Sequence, residues 1–118
     1  MASHHELGKK GEQLAVAFLR QKQYDILHCN WTSGRKEIDI IARQGGTIVF
    51  IEVKTRSTQY FGMPEEAVHY RKEASLQQVA DRYLEQHGLQ PEAIRFDIIS
   101  ITFTAAGLQE ILHLEDAF

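Results

Sequence analysis

The chain reads as a single α/β domain of the restriction-endonuclease-like kind, with a mixed central β-sheet flanked by helices in the order α-β-β-β-α-β-β. Three observations carry that expectation. Residues 6–22 repeat apolar side chains at helical spacing. Residues 35–55 alternate around a Gly45-Gly46 pair, as a hairpin does. A second helical stripe ending near Gly88 separates that hairpin from two further strand-like runs, which gives a mixed sheet with helices against it.

In the first helix the stripe is Leu7, Gly11, Leu14, Ala15, Phe18 and Leu19. Gly8 and Gly11 each cost about 1 kcal/mol against alanine in a helix, so the pair suggests close approach to another backbone. Glu12 lies one helical step from the stripe. Tyr24–Thr32 reads as the first strand. Ile48–Val53 is almost continuously apolar and β-branched, as expected of a central strand covered on both faces. Ser57–Gly62 reads as a polar loop carrying Tyr60. Pro64 with Glu65 and Glu66 reads as a helix start, giving a short turn near 64–69 and a helix over about 70–87. Val68, Leu76, Val79, Ala80, Tyr83 and Leu84 form its apolar stripe, and Gly88 its C-cap. Ile94–Thr102 is a further strand, and Leu108–Leu114 a last one after a turn at Gly107.

At 118 residues there is room for one core only. The hydrophobic share is 43% and the charged share 25%, which fits an ordinary globular domain rather than a disordered one. No apolar run approaches the roughly 20 residues that span a bilayer, so no membrane partner is expected. The first residues lack the basic start and apolar middle of a secretory signal. Cys29 is the single cysteine, which excludes an internal disulfide and fits a reducing, cytoplasmic setting. No local motif sets a histidine beside it, so it reads as a small strand residue. The net charge of −3 argues against indiscriminate nucleic-acid binding. The basic residues Arg35, Lys36, Lys54, Arg56, Arg71 and Lys72 nevertheless flank the hairpin.

The hairpin holds the chemistry. With Gly45-Gly46 as a two-residue turn, paired residues have numbers summing to 91. Asp39 then faces Glu52, Glu37 faces Lys54, and all four share a face with Ile41, Ile48 and Phe50. Like charges directly opposite would stand roughly 4.5–5.5 Å apart at Cβ and destabilise the sheet unless something positive lay between them. A divalent cation is the obvious candidate. A three-residue loop would instead put the two acids on opposite faces. The bland alternative is a solvated strand face with Glu37 and Lys54 as a cross-strand ion pair. Asp39 and Glu52 offer hard oxygens and no His or Cys triplet lies near, so Mg²⁺ or Mn²⁺ suits the site better than Zn²⁺. Lys54, two residues from Glu52, faces the same way.

The run Glu37-Ile-Asp39 followed by Phe50-Ile-Glu52-Val-Lys54-Thr-Arg56 resembles the PD-(D/E)xK nuclease motif. The wider pattern is similar to the YraN-like family of that superfamily, related in fold to Holliday junction resolvases. The matching pieces are Gly8-x-x-Gly11-Glu12-x-x-Ala15, Asn30-Trp31, Phe61-Gly62-x-Pro64-x-Glu66-Ala67-Val68, Lys72, and Arg95-Phe96-Asp97-Ile98-Ile99. Together they span roughly residues 6–101. The resemblance implies Asp39 and Glu52 as metal ligands and the Val53 carbonyl as a third. It implies Lys54 as the catalytic lysine and Glu12 as the helix acid that completes the site. Ile38 stands where the motif's proline would be.

The expected activity is metal-dependent endonucleolytic hydrolysis of DNA, branched or single-stranded forms included. A non-catalytic nucleic-acid-binding or repair-complex interaction module on the same fold is the alternative. Thr55, Arg56, Arg71 and Lys72 are candidate phosphate contacts. Trp31 and Tyr60 are candidate stacking platforms, although a strand-end tryptophan more often packs in a core. Asp97, set mid-strand between apolar residues, is expected to make a structural hydrogen bond. His28, His69, His87 and His113 stand isolated and are given no role. A homodimer would suit a substrate cut at two symmetric points, though no self-complementary patch stands out.

Overall fold

The computed structural model describes residues 4–57, 69–107 and 109–118, with side chains from Glu6 onward and, in the second helix, from Leu76 onward. The described elements are α1 (His4–Gln21), β1 (Asp25–Ser33), β2 (Lys36–Gln44), β3 (Thr47–Ser57), α2 (His69–Gln86), β4 (Ala93–Phe103) and β5 (Gln109–Leu114). Their order is the expected one. The loop after Ser57, the turn near Pro64, and the motif from Phe61 to Val68 lie outside the described residues, as does Tyr60.

The five strands form one sheet in sequence order. β1, β2 and β3 run antiparallel in turn, β3 and β4 run parallel through the α2 crossover, and β5 returns antiparallel on β4. β3 is the middle strand. Its alternation divides the core between the two faces. Val49 and Ile51 pack with Ala15 and Leu19 of α1, while Ile48 and Phe50 pack with Val79, Ala80 and Tyr83 of α2. That explains why the segment is apolar at nearly every position. No helix among the described residues is long and apolar enough to cross a membrane.

The hairpin turns at Gly45-Gly46, with Gly45 at φ +59°. Gly46 stays outside the left-handed region, so one positive φ suffices here rather than two. The expected register holds from Gln44↔Thr47 to Ile40↔Ile51. Trp31 packs its ring edge-on against Tyr83, with centroids 5.2 Å apart, so it belongs to the α2-side core and is no free stacking platform.

The two glycines of α1 differ. A Cβ on Gly11 would run into Thr55 Oγ1, whereas one on Gly8 would meet nothing within 4 Å. The close approach therefore belongs to Gly11 alone. It lets α1 settle directly on β3, just beyond Glu52 and Lys54.

Among the described residues Asp97 is the buried charged residue of the core, at 0% exposure. Arg95 grips it with Nε on Oδ1 and Nη2 on Oδ2, both at 2.9 Å. His113 Nε2 lies 2.7 Å from Oδ2, and the Asp116 backbone N–H donates to Oδ1 at 2.9 Å. The structural hydrogen bond expected for Asp97 is thus a four-fold anchor. His113, which spacing left without a role, closes it from β5. Burial works to raise the Asp97 pKa, but the bonds from His113, Arg95 and Asp116 outweigh it and hold the carboxyl below the usual aspartate range.

Two outcomes follow in chemical denaturation. Gly11→Ala overpacks the α1–β3 contact and costs about 1–3 kcal/mol, while Gly8→Ala is neutral or stabilises by up to about 1 kcal/mol. Asp97→Asn leaves Arg95 facing a neutral amide and costs about 3–5 kcal/mol. The native Asp97 carboxyl has the lower pKa, so its contribution is complete above the unfolded value of about 3.9 and is lost as pH falls through the native value. Urea melts from neutral pH downward show that loss in the parent, and a shallower one in Asp97→Asn.

Candidate metal and phosphodiester site

The site begins where two strands part. β2 and β3 pair as far as Ile40↔Ile51. Beyond that point β3 stays on β4 to Ser57↔Phe103, and β2 stays on β1 to Lys36↔Ser33. The sheet therefore forks, with Asp39 and Glu52 at the crotch. The Val53 N–H donates to Asp39 Oδ2 at 2.8 Å. A side-chain carboxylate has taken the donor that a continuing ladder would have used.

Side-chain alternation slips at the same place. Ile38 and Ile41 both pack on the α2 side, while Ile40 and Ala42 pack on the α1 side. Strict alternation would put Ile38 and Ile41 on opposite faces, so β2 changes phase between them, at Asp39. On β1, between the Cys29↔Ile40 and Trp31↔Ile38 pairs, Asn30 stands at φ +52°. Asparagine is one of the few side chains that tolerate this left-handed backbone.

The slip makes Asp39 accessible from both faces. On the α2 side it shares a cavity of about 170 Å³ with Lys36, Glu37, Ile38 and Glu52. On the α1 side it shares one of about 390 Å³ with Glu12 and Asn30. Glu12, Glu37 and Asp39 each bring a carboxylate oxygen within 4.8 Å of the others. Asn30 ties the first two together. Turned so that its amide nitrogen meets the carboxylates, it donates to Glu12 Oε2 at 3.2 Å and Glu37 Oε1 at 2.8 Å.

Glu52 and Lys54 follow regular alternation onto the α2 side. Lys54 Nζ lies 3.2 Å from Glu52 Oε1, with side chains only 26% and 17% exposed. This half-buried pair stands in place of the cross-strand Glu37–Lys54 pair of the bland alternative, because β2 has left β3 before reaching that register. Glu37 instead points toward Glu12 and Asp39. Glu12, Glu37 and Glu52 thus approach Asp39 from two faces, with Lys54 held against Glu52, rather than all lying side by side on one.

The remaining candidates fall around this centre. The Val53 side chain packs toward α1 and its N–H is held by Asp39. Thr55 lies against Gly11 under α1, away from the α2-side cavity, and Arg56 is exposed one residue on. Arg71 and Lys72 belong to the first turn of α2, with side chains outside the described residues. Asn30 and Glu37 are members that spacing did not single out for a role. The legible signal was an asparagine within a strand, where its tolerance of positive φ has a use.

A second group, Asp97, His113 and Glu115, is equally close-knit. Arg95 fills it, at 2.9 Å from Asp97 Oδ1 and 3.1 Å from Glu115 Oε1. A guanidinium already supplies the positive charge there. His28 likewise has a structural partner, the Tyr83 hydroxyl at 2.7 Å from Nδ1, and His87 stacks on the same ring with centroids 4.3 Å apart.

Comparison with known proteins adds the chain's relatives. Residues 11–101 match the family model described as "Uncharacterised protein family UPF0102". A UPF0102 protein of Christiangramia forsetii is 48% identical over 118 residues, covering 100% of this chain and 98% of the relative. One of Alkaliphilus oremlandii is 44% identical over 115 residues, covering 96% and 97%. One of Geobacter metallireducens is 42% identical over 119 residues, covering 100% and 97%. With most of its length matched by the family model and relatives this similar end to end, the chain belongs to the UPF0102 family.

Proposed function

We infer that the chain is a metal-dependent endonuclease that hydrolyses phosphodiester bonds in DNA. The observation that carries this reading is the gathering of Glu12 of α1 with Glu37 and Asp39 of β2 at the fork, where Glu52 of β3 shares the α2-side cavity with Asp39. Glu12, Glu37 and Asp39 each bring a carboxylate oxygen within 4.8 Å of the others, and a divalent cation would offset their mutual repulsion.

The donor set fits a hard divalent ion. It consists of carboxylate oxygens from Asp39, Glu52 and Glu12, with the Val53 carbonyl as a further ligand and no histidine or thiolate in the group. Such an ion, Mg²⁺ or Mn²⁺, supplies Lewis-acid polarisation of the phosphate and a bound water of lowered pKa. The protein's own residues do the rest. Asp39 is fixed by the Val53 N–H, so it needs no reorganisation when substrate arrives. Glu52 holds the Lys54 ammonium at the site, where that charge orients the attacking water or offsets the negative charge of the pentacovalent transition state. Glu12, brought down by the Gly11–Thr55 contact, completes the acid set from the helix side.

Thermal melting with and without Mn²⁺ tests the metal directly. The parent gains stability with Mn²⁺, by about 2.7 kcal/mol at one hundred times the dissociation constant, and Asp39→Ala abolishes the gain. A labelled panel of single-stranded, duplex and branched DNA then reads the chemistry. Cutting in Mg²⁺ or Mn²⁺ is expected from the parent and not from Asp39→Ala, Glu52→Ala or Lys54→Ala. Three variants that cut like the parent contradict the reading. Binding without cutting by the parent favours the non-catalytic module.

A further inference from the structure

We propose that the cleft between α1 and the β1–β2 strands is the track for a single strand of nucleic acid, with its phosphates held by Lys9 and Arg20. The substrate class rests on the endonuclease reading; the location does not.

The fork leaves Asp39 open on both faces, and the two openings are unequal. The α1-side cavity, at about 390 Å³, is more than twice the α2-side one at about 170 Å³. The larger is the better entry for a polymer. Its helical wall is Lys9, Gln13, Val16 and Arg20, at steps of four, three and four residues. That spacing puts them in one stripe along α1. Lys9 and Arg20 are exposed and stand at the ends of the stripe, about 16 Å apart along the axis at 1.5 Å per residue. At about 3.4 Å per stacked nucleotide this distance covers roughly five backbone steps. Glu12 leans from the same helix toward Asp39 between the two cations.

The charge order suits a polyanion. An acid cluster by itself repels phosphate, and a strand can approach it only when cations bracket it. Lys9 and Arg20 would bind phosphates on either side of the one presented to the acids, and Gln13 offers an amide between them. A single strand fits better than a duplex. The cleft falls within the roughly 300–1,000 Å³ range of small-molecule clefts, so it admits individual nucleotides. Unpaired nucleotides can bend into such a space, whereas duplex DNA stays straight over about 150 base pairs.

The opposite wall carries Cys29, exposed and the only cysteine in the chain. It reports occupancy without any mutation. Wild-type protein is alkylated with a fluorescent maleimide in Mn²⁺, alone, with poly-deoxythymidine, or with a duplex, while anisotropy follows binding in parallel. A strand at about ten times its dissociation constant slows labelling about tenfold. Lys9→Ala combined with Arg20→Ala, both at exposed positions, lowers the slope of log affinity against log salt by about 1.4 for a single strand. A strand that binds yet leaves Cys29 labelling unchanged overturns the track and leaves the endonuclease reading standing. Protection by duplex alone, or an unchanged salt slope, overturns it equally. Protection by a strand that is not cut upholds the track, and the hydrolysis is read separately on the duplex and branched substrates. A strand that fails to bind overturns the track and leaves the endonuclease reading to those substrates.

Discussion

One hydrogen bond decides the character of this sheet: the Val53 N–H held by the Asp39 carboxylate at 2.8 Å. If β2 continued on β3, that donor would be satisfied within the ladder. Asp39 would then be an ordinary strand residue, with Glu52 in direct opposition. Instead the strands separate after Ile40↔Ile51, and a side chain closes the gap. The separation opens the sheet at its centre and turns a β-bridge into a cleft. Everything proposed about function depends on that substitution of a carboxylate for a carbonyl.

The surrounding structure keeps the fork open. Below it, the apolar run from Ile48 to Ile51 is buried on both faces and fixes the register. Above it, each strand has a second neighbour, β1 for β2 and β4 for β3, so parting costs neither strand its only partner. Gly11 lets α1 lie on Thr55, and Asn30 links Glu12 to Glu37. Beside Ile51 on β4, the Asp97 anchor ties β4 to β5 and to the turn at Asp116. Both acidic clusters face the same electrostatic difficulty. Asp97 resolves it with a guanidinium built into the fold. The group at the fork gathers three carboxylates, with Lys54 paired to Glu52 beside them.

Much of this is legible in the amino-acid sequence itself. Periodicity gave the seven elements in order, and Gly45-Gly46 gave the register of the hairpin, because a period of two leaves little freedom once the turn is known. The ordered motifs pointed to the family. What periodicity could not see was the fork. A ladder rule extrapolated past Ile40 pairs Asp39 with Glu52 and Glu37 with Lys54, and both pairings fail where β2 changes phase. The roles of Asn30 and His113 were not legible for a related reason. Their roles come from residues distant in sequence, Glu12 and Glu37 for one and Asp97 for the other. The Gly8-Gly11 pair could not be split by composition either, since only the position of Thr55 tells the two glycines apart.

We propose that the acids gathered at the fork hold a divalent cation. Anomalous diffraction from crystals grown in Mn²⁺ tests it most directly. An anomalous peak is expected at Asp39, at coordination distances of roughly 2.0–2.6 Å from its carboxylate and from at least one of Glu12, Glu37 and Glu52. No peak at the fork, or a peak beside Asp97 and His113 in its place, would contradict it.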